Sequence, residues 1–278
     1  MILPTSPQKL VIEASNGWSR AWVKELIRYR ELLYLLTWRD IKVRYKQTVF
    51  GAMWAVIQPL MTMVVFSLVF GKLAKVPSDG VPYPIFSFCA LLPWQLFANA
   101  TQQSGNSLVA QSTLLTKVYF PRVILPLSSV LAVCVDFAIS FLVLMAMMVY
   151  YGIAPTWNAI YVPLFAVFAV ITALSVGLWL SALNVKYRDV RYAIPFMTQF
   201  WMFASPVAYS TNSVPEAWRV VYCLNPMVGV IEGFRWALLG KPGFGLSTVL
   251  TSGCVVVGLL ILGLRYFRRT ERVFADVV

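Results

Sequence analysis

VFGAMWAVIQPLMTMVVFSLVF, residues 49–70, runs its full length without an Asp, Glu, Lys or Arg. An α-helix rises 1.5 Å per residue, so about 20 such residues cross the roughly 30 Å hydrocarbon core of a bilayer. The stretch therefore reads as a membrane helix, and the chain around it repeats the pattern. Residues 84–107, 123–150, 157–183, 193–210 and 246–264 are apolar and of spanning or near-spanning length. Together they predict an all-α integral membrane protein with six transmembrane helices. Two of the six differ from the rest. Residues 84–107 contain Pro93 and turn polar at Asn99, Gln102, Gln103 and Asn106, and residues 193–210 are short, with Pro195 and Pro206. Such polarity suits helices that face protein or water rather than lipid.

Composition agrees. Hydrophobic residues make up 59% of the 278 and charged residues 12%, against roughly 45–50% and 25% in soluble domains, so there is too little charge to cover a soluble surface. Of the 23 Lys and Arg, 18 fall before the first span, between spans two and three, between four and five, and after the sixth. The positive-inside rule then places both termini in the cytoplasm. One stretch threatens this count. Residues 220–239 are apolar, but Asn225-Pro226 breaks them and Glu232 and Arg235 interrupt them. If they crossed, the basic tail Arg265, Arg268, Arg269 and Arg272 would lie outside. A re-entrant hairpin over residues 217–240 on the external side satisfies both the breaker and the charge rule, and makes Asn225, Pro226, Glu232 and Arg235 candidates for an external gate.

Residues 21–46 predict a helix of another kind. Lys24, Arg28, Glu31, Arg39, Lys42 and Lys46 share one face, interrupted by Leu35, while Trp22, Leu26, Tyr29, Leu33 and Leu36 share another. That is an amphipathic helix lying in the cytoplasmic interface. Thr37 with Asp40 has the form of a capping box, which predicts a restart there. Residues 1–20 are a polar tail without the apolar run of a cleavable signal. The domain plan is thus a tail, an interface helix at 21–46 and a transmembrane domain at 47–278.

Several chemistries are poorly served. There is no histidine, the commonest metal ligand and physiological proton shuttle. Cys89, Cys134, Cys223 and Cys254 stand singly in apolar segments and read as buried inert thiols, so no metal is expected. Gly71-Lys72 and Gly240-Lys241 lack the rest of a P-loop, so ATP and its Mg²⁺ would bind another chain. Asp136, deep in the third span, must have a partner or a proton, because a charge there costs roughly 2.5–3.5 kcal/mol on insertion scales. A hydrogen bond to a neighbouring helix is the simpler reading. A proton relay is the sharper one, and no second intramembrane acid continues it.

At this point the sequence resembles a family. RDIKVRYKQTVFGAMWAVIQPL (39–60), PYPIFSFCALLPWQLFANA (82–100), LLTKVYFPR (114–122), ALNVKYRDV (182–190), SPVAYS (205–210), LNPM (224–227) and FADV (274–277) are similar, in order, to the permease family of ABC exporters for O-antigens, capsules and teichoic acids. The LPWQ and KVYFPR forms resemble the O-antigen branch. The resemblance implies a bacterial inner-membrane homodimer with two copies of a separate ATPase, moving a polysaccharide linked to a polyprenyl pyrophosphate into the periplasm. Membrane lipids surround it, nucleic acid is no partner, and the chain itself is not an enzyme. It also implies a pore between protomers, an external re-entrant gate, and a coupling helix between spans two and three that docks in the ATPase.

Residue patterns suggest where these functions sit. The loop at 111–122 offers apolar Leu114, Leu115, Val118, Tyr119 and Phe120 beside Lys117 and Arg122, the composition of a docking surface. Trp54, Gln58 and Thr62, with Gly51, share a face of the first span, and Thr198, Trp201, Ser205 and Tyr209 share a face of the fifth. Aromatic rings flanked by small polar groups suit a passing sugar, although interface anchoring and helix–helix bonding would use the same residues. Arg39, Lys42, Arg44 and Lys46 stand where the first span enters the membrane and could hold a pyrophosphate, or simply anchor the helix to anionic headgroups. The other readings are export of a capsule or teichoic acid glycan, a proton-coupled transporter, and a membrane glycosyltransferase. The last two lack, respectively, internal repeats and paired acids.

Overall fold

The computed structural model describes residues 26–46, 53–240, 245–271 and 274. The expected tail at 1–20, Trp22, Lys24, Gly51, Arg272 and the end of the FADV string at 275–277 lie outside the described residues. Ten α-helices follow one another among the described residues: α1 (Arg30–Lys46), α2 (Met53–Phe66), α3 (Tyr83–Ala110), α4 (Ser112–Lys117), α5 (Ile124–Tyr150), α6 (Val162–Lys186), α7 (Val190–Phe203), α8 (Glu216–Cys223), α9 (Pro226–Leu239) and α10 (Leu246–Glu271). A π-helical turn, Ser67–Leu73, extends α2, and a 3₁₀ turn, Trp157–Tyr161, leads into α6.

Four of these are long and apolar enough to cross a membrane: Met53–Leu73, Ile124–Tyr150, Trp157–Lys186 and Ser247–Glu271. Two of the six expected spans are not among them, for different reasons. Helix α3 has the length but keeps its polar third, and it runs through the middle of the bundle against α2, α5, α6 and α9. Phe86, Phe88, Phe97 and Leu108 are fully buried along it. Its polar end is used by α6, where Asn184 Nδ2 donates to the Gly105 carbonyl and to Asn106 Oδ1, both at 3.0 Å. Gly177 lets α6 lie directly on Ser104, since a Cβ there would strike the serine side chain.

Helix α7 is short. Its 14 residues reach only about 21 Å, because the helix stops at Phe203 instead of continuing to residue 210. Pro206 explains the stop, since a proline ring excludes the helical carbonyl behind it and disfavours helix at the preceding residue. Only Ile194 and Thr198 of α7 are buried, so most of its surface is uncovered.

The stretch expected as a hairpin is two helices. The break falls at Asn225-Pro226, where the Asn225 side chain accepts from Met227 N at 3.0 Å and proline takes the first helical position of α9, the arrangement both residues favour. Gly240, at φ 65°, ends α9 in the left-handed conformation. Helix α9 is nearly all buried, wedged among α3, α6 and α10.

Helix α1 is one continuous piece. Thr37 Oγ1 bonds the Leu33 carbonyl at 2.8 Å and Asp40 pairs with Arg39, so the expected capping box does not form. The expected apolar face does turn inward: Leu36 is buried, and Leu26, Tyr29 and Leu33 pack beside it. It rests on protein, however, in a second core with Leu115, Phe120, Phe267 and Phe274. The outer face mixes exposed Ile27, Tyr34, Leu35, Trp38 and Val43 with Lys42 and Lys46.

Candidate functional site

The charged cluster joins α1 to α5. Arg44 donates one guanidinium nitrogen to the Asp136 carboxylate and another to Gln103 Oε1 on α3. The Tyr45 hydroxyl donates to the other Asp136 oxygen. Asp136 therefore has the partners its depth demands. Burial first, then the Asp136 hydrogen bond and charge, push the Tyr45 phenol up, so it remains a donor. Arg44 thus faces inward, whereas Lys42 and Lys46 are exposed. Lys42 lies 5.3 Å from the Trp38 ring, and Arg39 is held 2.8 Å from Asp40. The four expected phosphate ligands do not form one constellation.

Beside this cluster lies a cavity of about 280 Å³, walled by α1, α2, α3 and α5. Trp54 and Gln58 line it; Thr62 does not, and its hydroxyl bonds the Gln58 carbonyl at 2.9 Å. Gln95, Asn99 and Gln103 supply the opposite wall. Gln95 and Tyr45 escaped the sequence reading, which took Asn99 and Gln103 only as signs of a protein-facing helix. Their spacing of i, i+4 and i+8, which puts three amides on one stripe of a helix, was the signal to follow.

On α7 the expected polar face turns into the protomer. Thr198 on α7 and Ser205 just past its end are buried, with hydroxyls on α7 backbone carbonyls. Trp201 is packed edge-on to Phe97 at 5.0 Å and donates to Asn225 Oδ1 at 3.0 Å. Buried residues cannot line a path, so the exposed face of α7 is the aromatic one: Tyr192, Phe196, Phe200 and Phe203. Packing overrode polarity here, because small hydroxyls that bond their own backbone fit inside more readily than phenyl rings would.

That inward face meets the expected gate. Asn225 Nδ2 reaches the Ala204 carbonyl at 3.1 Å and Ser205 Oγ at 2.9 Å, so one side chain caps α9 and ties it to the end of α7. Buried Arg235 pairs with Glu232 at 3.2 Å and donates to the carbonyls of Val207 and Tyr209 at 3.1 and 3.2 Å. Its guanidinium lies 3.7 Å from the Phe86 ring centre. Thr211 Oγ1 closes the set on Glu232 at 2.7 Å. Pro226 is buried at the start of α9.

The loop between α3 and α5 splits its expected docking residues. Lys117, Val118 and Tyr119 are exposed, but Leu115 and Phe120 are buried in the second core. Arg122 is engaged too. Its backbone N–H donates to the Glu271 carboxylate at 3.2 Å, its side chain donates to the Glu271 carbonyl, and its cation sits 5.8 Å from the Phe274 ring. Among the described residues, no group of three or more His, Cys, Asp or Glu is placed to hold a metal ion. Cys89 is buried, but Cys254 is exposed on α10 rather than buried as expected.

The ABC-2 type transporter family matches residues 31–239. The chain belongs to that family. Among relatives, it is 31% identical over 216 residues to the O-antigen export system permease protein RfbA of Myxococcus xanthus, covering 77% of this chain and 82% of the relative. It is 28% identical over 251 residues to the RfbA permease of Klebsiella pneumoniae, covering 89% and 95%. The polysialic acid transport protein KpsM of Escherichia coli is 22% identical over 249 residues, covering 87% and 93%. As an ABC-2 membrane protein, the chain puts its family match over α1 to α9, the part that holds the charged cluster, the exposed loop tip and the hairpin.

Proposed function

We propose that this chain is the membrane-spanning permease subunit of an ATP-driven exporter that moves a polyprenyl-pyrophosphate-linked polysaccharide, an O-antigen, across the bacterial inner membrane. The observation that carries the reading is similarity over most of the chain to O-antigen export permeases, together with the family match. Export of a capsule glycan is the second reading, favoured by the more distant likeness to a polysialic acid transporter.

Six crossings follow if α3 and the α7 segment are counted with the four apolar spans. Helix α3 is long enough, and a short α7 suits a segment met by protein on one side. Both termini then face the cytoplasm, with α1 in the inner interface and α8–α9 dipping in from outside. The α2 span and α7 leave most of their surface uncovered, as α10 does, which fits a homodimer whose glycan path runs along α2 and α7. Trp54 and Gln58 of α2 and the aromatic face of α7 would line it, since ring faces suit the C–H faces of sugars. Lys42 and Lys46 would meet the pyrophosphate. Lys117, Val118 and Tyr119 would dock on a separate ATPase, present in two copies, which binds ATP and Mg²⁺. The chain would have no catalytic site of its own.

Deleting the gene in its host tests this. Surface O-polysaccharide should vanish while lipid-linked polymer accumulates inside. Unchanged surface glycan would contradict it.

A further inference from the structure

The cavity beside Asp136 has a lining unusual for a membrane bundle. Gln58, Gln95, Asn99 and Gln103 bring four amides to it, and Trp54 brings an aromatic face. Gln103 is engaged by Arg44. The side chains of Gln58, Gln95 and Asn99 form no hydrogen bond with other described residues. Gln58 is exposed and Gln95 and Asn99 are half-buried, so their amides stand open to water or to a ligand. Water fills such a space at rest, and a ligand that replaces it must offer many donors and acceptors.

Charge narrows the ligand further. Among the described residues of the wall Arg44 is the only cation, and its fork is spent on Asp136 and Gln103. The pair sums to zero, so an entering anion would gain no free cation and would meet the Asp136 carboxylate. Size narrows it again. About 280 Å³ falls just below the roughly 300–1,000 Å³ of pockets that hold drug-sized molecules, which leaves room for one ring and not for a chain.

We infer that this cavity binds a single neutral sugar residue of the transported glycan, stacking it on Trp54 and bonding its hydroxyls with Gln58, Gln95 and Asn99. The inference rests on the exporter reading above and adds to it a selectivity. Recognition divides in two: exposed Lys42 and Lys46 take the phosphates, and the neutral cavity takes an uncharged ring and refuses an acidic one. Because Trp54 is half exposed, the ring can enter from the α2 side without parting α3 from α5.

The test uses the purified full-length chain, together with its ATPase, in lipid nanodiscs. Three probes are titrated: a polyprenyl diphosphate carrying no sugar, the same lipid carrying one neutral hexose, and the same lipid carrying one hexuronic acid. The neutral hexose should tighten binding about tenfold over the bare diphosphate, and the hexuronic acid should not. Gln95→Leu with Asn99→Leu should erase the tenfold gain and leave the bare probe unchanged. Should that variant fail to fold, Trp54→Ala, a truncation on the open wall, should show the same selective loss. Equal binding of all three probes by the wild type, or an equal loss of all three in the variants, overturns the sugar site while leaving the exporter intact. Failure of every probe to bind the wild type contradicts the exporter reading itself.

Discussion

Arg235 shows how much of the bundle a single side chain can hold. It is buried, bonded to Glu232 and to two carbonyls of the segment after α7, and set against Phe86. Removing one partner of a buried pair leaves an uncompensated charge, which destabilises by about 3–5 kcal/mol. Arg235→Ala should therefore lower the unfolding midpoint in detergent sharply, and Glu232→Gln, which keeps the shape and the Thr211 contact, should lower it less. Equal small effects would mean the pair is not closed as described. Arg44 and Asp136 give the complementary case. Arg44→Leu alone leaves the carboxylate with the Tyr45 hydroxyl but no countercharge and should cost about 1–3 kcal/mol in this partly buried pair, whereas Arg44→Leu with Asp136→Leu should recover most of it, measured in the same unfolding assay. Sequence reading foretold that Asp136 needs a partner. It could not say that the partner comes from α1, because nothing local in either segment fixes which helices meet.

At the scale of elements, the loop between α3 and α5 is a tip on a fixed base. Leu115 and Phe120 anchor it in the core shared with α1 and Phe274, and Arg122 fastens it to Glu271. Tyr119→Ala should reduce ATPase association with little loss of stability, as expected for an exposed aromatic anchor. Phe120→Ala should cost about 3–5 kcal/mol of stability, as for a buried phenylalanine. Pull-down with the ATPase and thermal unfolding separate the two, and a Tyr119 variant that binds normally would move the docking site elsewhere. The loop's position was legible in LLTKVYFPR. Its division into inward and outward residues was not, since α4 is too short for periodicity to decide. The break at Asn225-Pro226 was legible because cap and proline act locally. The face of α7 was misread for the opposite reason: polarity suggested outward, yet Thr198 and Ser205 satisfy their hydroxyls on their own backbone and tolerate burial.

Over the whole molecule, composition and charge asymmetry marked a membrane protein before any contact was known, and ordered motifs marked the family. What they could not give is where α7 stops and which helices surround the polar α3. The path proposed between two copies runs along α2 and the aromatic side of α7. After replacement of the native cysteines, Gln58→Cys and Phe200→Cys should label with a small water-soluble thiol reagent during transport, and Ser205→Cys should not. The reverse pattern would put the path on the other side of α7. The central claim, ATP-driven export of a lipid-linked glycan, is tested most directly in inside-out vesicles containing this chain and its ATPase. Lipid-linked O-polysaccharide added outside should enter the lumen when ATP is supplied, and should stay outside with a non-hydrolysable analogue or with Tyr119→Ala. Entry that proceeds equally without ATP hydrolysis, or no entry with ATP in an assembled complex, would contradict the account.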